Sequence, residues 1–311
     1  MLVASTFLWG MSFPLTKYWQ LHTADCPGGP TGGPVIASLT LLALRTPIAL
    51  LIFAVFQRHL FTRPSRRALG IGLFLGFLNF LGCFAQVLGL AWTTPTLSGF
   101  ITSLASAWVP LLAFVFFRLS IAPTTLMGIA VGITGAAFLE LDSQASWSLD
   151  IGAGLTLIAS VMFALVILLL DRLGKNTESA HLTIGFVTMT GLPAMVLAPA
   201  WAQGTCGLAV WGDWLTSLLA NPGLILNVVS LTFFCTVLAY HWMTSYQPRV
   251  PASRAALIYL LEPLWSAAFS IGCGYDSLSL YLVLGGGLIL GGNLLVELPL
   301  WLRGFARVAP E

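Results

Sequence analysis

The chain has 311 residues, of which 58% are hydrophobic and only 8% are Asp, Glu, Lys or Arg. A soluble domain carries roughly 25% charged residues, so a water-soluble fold of this length lacks the charge to cover itself. Lipid is the alternative solvent, and a net charge of +2 with no basic stripe argues against a nucleic-acid partner.

In chain order, the first apolar run is 2–21. No basic region precedes it, and it ends in Trp19-Gln20, not in a small-residue cleavage site. It is therefore expected to be a membrane helix and not a cleaved signal peptide. The chain enters the membrane so early that a few leading residues are expected to be missing. Further runs follow at 35–56, 67–90, 95–117, 122–141, 151–171, 181–201, 222–243, 253–273 and 278–301. Each has the length of about 20 mostly apolar residues that a crossing needs. Turn chemistry separates them, as at Pro27-Gly28-Gly29-Pro30, Asn221-Pro222 and Pro248-Arg249-Val250-Pro251. The expected fold is an all-α integral membrane protein with ten transmembrane helices.

The charges sort with this count. With the N-terminus in the cytoplasm and alternating sides, eleven of the thirteen basic residues fall in cytoplasmic segments, among them Arg58, Arg63, Arg118, Arg172, Lys175 and Arg249. The outer loops hold Asp25, Asp142, Asp150, Asp213 and Asp276 instead. The positive-inside rule asks for this asymmetry and places both termini in the cytoplasm. Lys17 and Arg45 lie within spans. Trp19, Trp92, Trp147, Trp201, Trp211 and Trp214 fall near the outer boundary, as an aromatic belt does.

The chain also repeats itself. The run Phe100 to Leu111 parallels Ser253 to Leu264, and their prolines, Pro110 and Pro263, lie 153 residues apart. Phe13 and Phe163 lie 150 apart, and both halves end in a glycine-rich run, Gly128 to Gly135 and Gly285 to Gly292. Five helices per half is an odd number, so the second copy is inverted. Two inverted five-helix repeats, 1–145 and 146–311, are characteristic of secondary transporters with a site near the midplane.

These residues resemble the drug/metabolite transporter superfamily, in its form with two EamA-type domains. Trp9-Gly10-Met-Ser-Phe13-Pro14-Leu-Thr-Lys17 is similar to that family's opening motif. Ala43-Leu44-Arg45 resembles its second helix, and Thr94 to Pro110 its third corner. Ala252-Ser-Arg-Ala-Ala-Leu-Ile-Tyr-Leu-Leu-Glu262-Pro263, followed by Gly285 to Gly292, resembles its last two helices. Where the family usually carries Gly-Glu after the fourth and ninth helices, this chain has Phe117-Arg118 and Gly274-Tyr275-Asp276. The resemblance implies an inner-membrane permease for small metabolites, amino acids or drugs, often an exporter.

Polar groups inside a bilayer usually face the bundle interior. Trp9, Ser12, Arg45, Asn79, Gln86, Tyr259 and Glu262 are the expected lining of a substrate site. Asn79 and Gln86 share a helix face and suit either solute binding or interhelical hydrogen bonds. Glu262 suits proton coupling, a structural place at the Pro263 break, or a pair with Arg45. Lys17 suits snorkelling to water. Cys83, Cys235 and Cys273 read as packing residues, and Cys26 and Cys206 as two thiols on the outer face, with a disulfide as the alternative. Gly128-xxx-Gly132 and Gly287-xxx-Gly291 suit packing within the bundle, or else a homodimer contact.

No phosphate-binding loop, nucleophile elbow or His-Glu-x-x-His is present, and five cysteines without close pairing make no zinc pattern. No catalytic residue, metal or cofactor is expected. A secondary transporter of a small-molecule solute, working by alternating access, is the leading reading. The alternatives are an intramembrane lipid-modifying enzyme, hinted at only by His241 beside Tyr240 and Arg249, and a scaffold or sensor.

Overall fold

The computed structural model describes residues 1–26, 29–56, 65–118, 123–142, 151–250 and 252–306. Every regular element among them is helical. The first half holds α1 (Leu2–His22), α2 (Gly29–Phe56), α3 (Arg66–Gly89), α4 (Pro95–Ser103), α5 (Ala105–Phe117) and α6 (Pro123–Asp142). The second holds α7 (Ile151–Leu173), α8 (Ser179–Thr205), α9 (Leu208–Leu219), α10 (Pro222–Ser230), a π-helical stretch Leu231–Leu238, α11 (Ala239–Tyr246), α12 (Ala252–Tyr259), α13 (Glu262–Gly272) and α14 (Leu280–Ala306). The expected repeat boundary near residue 145 lies outside the described residues.

Helix starts follow local chemistry. Ser65 accepts from the Ala68 N–H, and Thr94 from Leu97 with Pro95 opening α4. Asn221 accepts from Gly223 and Leu224 with Pro222 opening α10. Each side-chain oxygen satisfies a donor that the first helical turn leaves open, and proline needs no partner there.

The burial pattern is the reverse of a soluble protein's. Phe74, Val115, Val196 and Leu226 lie exposed, while Ser5, Ser38, Thr156 and Ser160 are fully buried. Apolar side chains outward and hydroxyls inward are what a lipid solvent selects. Among the described residues, six helical stretches are long and apolar enough to cross a membrane: Gly32–Val55, Arg66–Gly89, Pro95–Phe117, Ile151–Leu173, Ser179–Thr205 and Pro222–Arg249. This is a multi-pass membrane protein.

Helices from the two halves interleave. In the interior α3 packs on α7 and α8, α2 on α8, and α1 on α11 and α13, while α6 pairs with α14. Two expected spans are broken. The fourth bends at Leu104, between α4 and α5. The ninth bends at Leu260–Leu261, between α12 and α13. Pro263 has no N–H to give the Tyr259 carbonyl one turn back, so the helix ends at Tyr259 and restarts at Glu262. A short helix, α9, lies where the sequence suggests only a loop. At twelve residues it is too short to span, and it buries Trp214 and Leu218 while Asp213 stays exposed.

The glycine runs of α6 and α14 meet, but not with the expected register. A β-carbon at Gly135 would stand 2.6 Å from the Gly285 carbonyl oxygen, and one at Gly292 2.5 Å from that of Gly128. Gly287 and Gly291 face open space. The packed positions of α14 are Gly285 and Gly292, seven residues apart, and the Gly287–Gly291 pair lies off that face. Cys26 and Cys206 are free thiols in a common apolar cluster. Burial, with smaller contributions from Cys206 and Asp25, pushes the Cys26 thiol up to about 12.

Two predictions follow from this packing. Gly292→Val forces the α6–α14 backbones apart and should destabilise the chain by about 1–3 kcal/mol, whereas Gly287→Val should leave it near neutral. Thermal unfolding in detergent reads both, and equal losses would contradict the packing face. At pH 8 a maleimide should modify exposed Cys273 rapidly and Cys26 only on unfolding, since the thiolate is the nucleophile. Mass spectrometry of the labelled peptides follows the two sites.

Candidate functional site

A cavity of about 100 Å³ lies in the bundle interior, walled by α1, α2, α3, the α4–α5 and α12–α13 breaks, α7 and the π stretch with α11. That volume holds several waters or a small solute. Trp9, Ser12, Arg45, Asn79, Gln86, Tyr259 and Glu262 all stand on its wall. Each is a polar or amphipathic group in an apolar helix, turned inward because lipid gives it no partner.

Their partners differ. The Ser12 hydroxyl donates to the Trp9 carbonyl at 2.6 Å, within α1. Arg45 donates from Nε to Thr236 Oγ1 at 3.0 Å, and from Nη2 to the same oxygen. Thr236 belongs to the π stretch, whose extra residue per turn lets its hydroxyl back-bond to the Leu231 carbonyl, five residues earlier, at 3.4 Å. Asn79 donates to Thr190 Oγ1 at 3.2 Å and to Tyr240 Oη at 3.1 Å. Gln86 donates to Thr102 Oγ1 at 2.9 Å, tying α3 to α4.

Tyr259 donates to Gln247 Oε1 at 2.7 Å, and Gln247 Nε2 donates onward to the Ile167 carbonyl at 3.0 Å. Gln247 is fully buried, so this chain of bonds pins the end of α12 to α7. The Trp9 ring lies between Tyr240 and Tyr259, with ring centroids 6.0 and 5.6 Å away. Glu262 opens α13 beside Pro263. The ion pairs present among the described residues are Lys175–Asp171 and His181–Glu178. Arg45 and Glu262 face the same cavity and do not pair.

The structure also places Lys17, Cys83, Cys235 and His241. Half-buried Lys17 donates from Nζ to the Leu90 and Thr93 carbonyls at 2.8 and 2.9 Å, capping the end of α3 and the turn after it. Cys83 and Cys235 are more than packing residues, since both line the cavity, and Cys83 Sγ lies 3.3 Å from Tyr240 Oη. His241 is absent from the wall, its Nδ1 has no hydrogen-bond partner, and the nearby Arg249 stacks on Tyr246 at 5.4 Å. The sequence reading also missed Tyr240, Thr102, Ser103 and Ser106 on the wall. The hydroxyls carried a signal, a Thr-Ser-x-x-Ser run inside an apolar segment. Tyr240 carried none beyond its neighbour His241.

The fold, the reversed burial and the interior cavity with its polar side chains define the class as a multi-pass membrane protein with an internal site. Residues 150–298 match the EamA-like transporter family. Two proteins of Archaeoglobus fulgidus, each named an uncharacterized transporter, are similar to this chain. One is 25% identical, over 73% of this chain and 68% of its own length. The other is 24% identical, over 95% and 96%. A solved structure, titled only as a crystal structure of a protein, shares the fold at a TM-score of 0.56 and 16% identity, over 95% of this chain and 96% of its own. These likenesses mark the chain as a membrane transporter, its residues 150–298 similar to the EamA-like transporter family.

Tyr259→Phe should strip buried Gln247 of its donor and destabilise the chain by about 1–3 kcal/mol. Thermal unfolding in detergent measures it, and an unchanged melting temperature would show that the Tyr259–Gln247–Ile167 link does not hold α12 in place.

Proposed function

We propose that the chain is a secondary transporter of a small solute, probed from the two sides in turn by alternating access, with its site between two inverted five-helix repeats, 1–145 and 146–311. Ten helices cross the membrane in this reading, with the α4–α5 and α12–α13 segments each counting as one broken span. The protein sits in the inner membrane with both termini in the cytoplasm, and export is the direction the family resemblance favours. Trp9, Ser12, Arg45, Asn79, Gln86, Tyr259 and Glu262 contact the solute.

The observation that carries this reading is the single cavity into which both halves send these seven side chains. The packing supports the inverted repeat. The contact of α3 with α7 is answered by that of the π stretch and α11 with α1, and that of α5 with α7 by that of α13 with α1. The α2–α8 and α6–α14 contacts each join an element to its own counterpart, and the α4–α13 contact is answered by that of α5 with α12. A pseudo-two-fold axis through the cavity generates this list, and rocking of one repeat on the other exposes the cavity to each side in turn. The basic ends support the orientation: Arg172 stacks on Phe117 at 4.2 Å, and Gly174 sits against Pro248, which gathers the basic ends of α5, α7 and α11 on one side.

Flux in proteoliposomes tests the function with a panel of amino acids, nucleosides, sugars and cationic drugs. Asn79→Leu and Gln86→Leu should each cut the flux tenfold or more while the melting temperature falls little, because both amides face the cavity. Wild-type flux with neither variant affected would remove these residues from the solute site. Silence of the wild type across the whole panel would sink the transporter reading.

A further inference from the structure

The first turn of α4 is completed from the other half of the chain. A helix start leaves its leading N–H groups without intrahelical partners. In α4 these positions are Pro95, which has no N–H, Thr96 and Leu97. Leu97 donates to the nearby Thr94 side chain at 3.2 Å. Thr96 donates instead to Asp276 Oδ2 at 3.1 Å, 180 residues away. Helix α10 also opens on a proline, yet its two open donors, Gly223 and Leu224, both go to its own Asn221. Capping alone therefore does not call for the long reach at α4, and what the reach adds is a tie between the halves.

Asp276 lies half-buried in the coil between α13 and α14. The same oxygen accepts from the Ser270 hydroxyl of α13. One turn earlier, fully buried Ser266 donates to the Pro95 carbonyl at 3.0 Å. A β-carbon at Gly99 would stand 2.7 Å from Ser266 Oγ. The α4–α13 contact thus runs inward from Asp276 toward the two helix breaks that border the cavity. A carboxylate on the open N–H of a helix start makes a charge-assisted bond, favoured by the helix dipole. The opposite end of these two broken spans is built differently. In the proposed repeat Ser266, Ser270 and Asp276 answer to Ala113, Phe117 and Pro123, whose side chains form no hydrogen bonds. Phe117 packs against Arg172 there, at 4.2 Å. At these positions the polar clasp belongs to one end.

We propose that Asp276 is the latch of the cavity's mouth at its own end, holding the start of α4 in the first half against α13 in the second. This rests on the alternating-access reading above. Rocking of the halves toward opening on that side must part α4 from α13, and so must break the Thr96–Asp276 and Ser266–Pro95 bonds. Asp276 is exposed enough for water to take over its bonds, which makes the clasp reversible. Its effect is on the balance between the two facing states, and that balance shifts when one state loses a bond the other does not make.

The test uses the native cysteines of the cavity wall, Cys83 and Cys235. A membrane-impermeant methanethiosulfonate is added to one side of sealed vesicles at a time, and peptide mass spectrometry gives the rate at each thiol. Exposed Cys273, three residues before Asp276, reports which side the latch faces. Asp276→Ala should raise the cavity rate from that side tenfold or more without raising it from the other. Asp276→Asn, which keeps an acceptor but loses the charge, should fall between. A residue that only stabilises the fold would raise both rates alike. Equal increases from both sides, or no increase in a folded variant, overturn the latch and leave transport standing, because the flux panel reads transport separately. If Asp276→Ala does not fold, Ser270→Ala and Ser266→Ala, each removing one bond of the same contact, decide by the same ratio of rates. Cavity thiols reached from neither side in any variant, in a chain that moves nothing in the panel, overturn both readings.

Discussion

Hydrocarbon offers no water to a polar group, and the interior of this chain is arranged around that constraint. Hydroxyls turn back on their own helices, as Thr6 does to the Val3 carbonyl and Thr190 to that of Phe186. Amides bridge to neighbours: Gln20 bonds Ser38 and Val87, Asn227 the Leu15 carbonyl, and Asn293 both Ser103 atoms. Lys17 spends its charge on two carbonyls at the end of α3. Satisfied in this way, a polar side chain joins helices whose packing alone has no hydrophobic drive in lipid. The rule is relaxed away from the cavity, as at Trp214 Nε1, Ser245 and Trp265 Nε1, and also on the cavity wall, where Trp9 Nε1 lacks a partner among the described residues.

Irregular backbone gathers at the same place. The break at Leu104, the break at Leu260–Leu261 and the π stretch Leu231–Leu238 all border the cavity. Free backbone groups inside a membrane are tolerated where they line a polar space and not where they meet lipid. Each irregularity also aims a side chain. The π stretch turns Thr236 toward Arg45, and the α12–α13 break puts Glu262 at a helix start, where the positive end of the dipole favours a carboxylate. Backbone and side chains thus converge on one site from different elements.

What could be read in the sequence follows from the same physics. A polar residue in an apolar run is conspicuous, and Trp9, Ser12, Arg45, Asn79, Gln86, Tyr259 and Glu262 stood out for that reason before their neighbours in space were known. Helix positions were legible because twenty apolar residues between turn signals have one arrangement in lipid. Register was not. Gly287 and Gly291 match a packing motif, yet it is Gly285 and Gly292 that meet α6, because which face of α14 turns inward is decided by the whole bundle. Lys17 looked like a surface anchor because the carbonyls it caps lie about seventy residues away in sequence. The π stretch has no signature of its own. The amphipathic α9 is too short for a span and leaves few traces in composition.

The proposed repeat bears on the chemistry through its imperfection. Aligning Pro110 with Pro263 puts Val109, a buried apolar residue, opposite Glu262. In the proposed repeat the two halves share a backbone plan, but the carboxylate occurs once. A two-fold symmetric pair of carboxylates would present equal charge on both sides of the axis and could not orient a dipolar solute. With Glu262 in one half, Val109 at its counterpart, and Arg45 on α2, the cavity wall is asymmetric, with a guanidinium on one element and a carboxyl group on another.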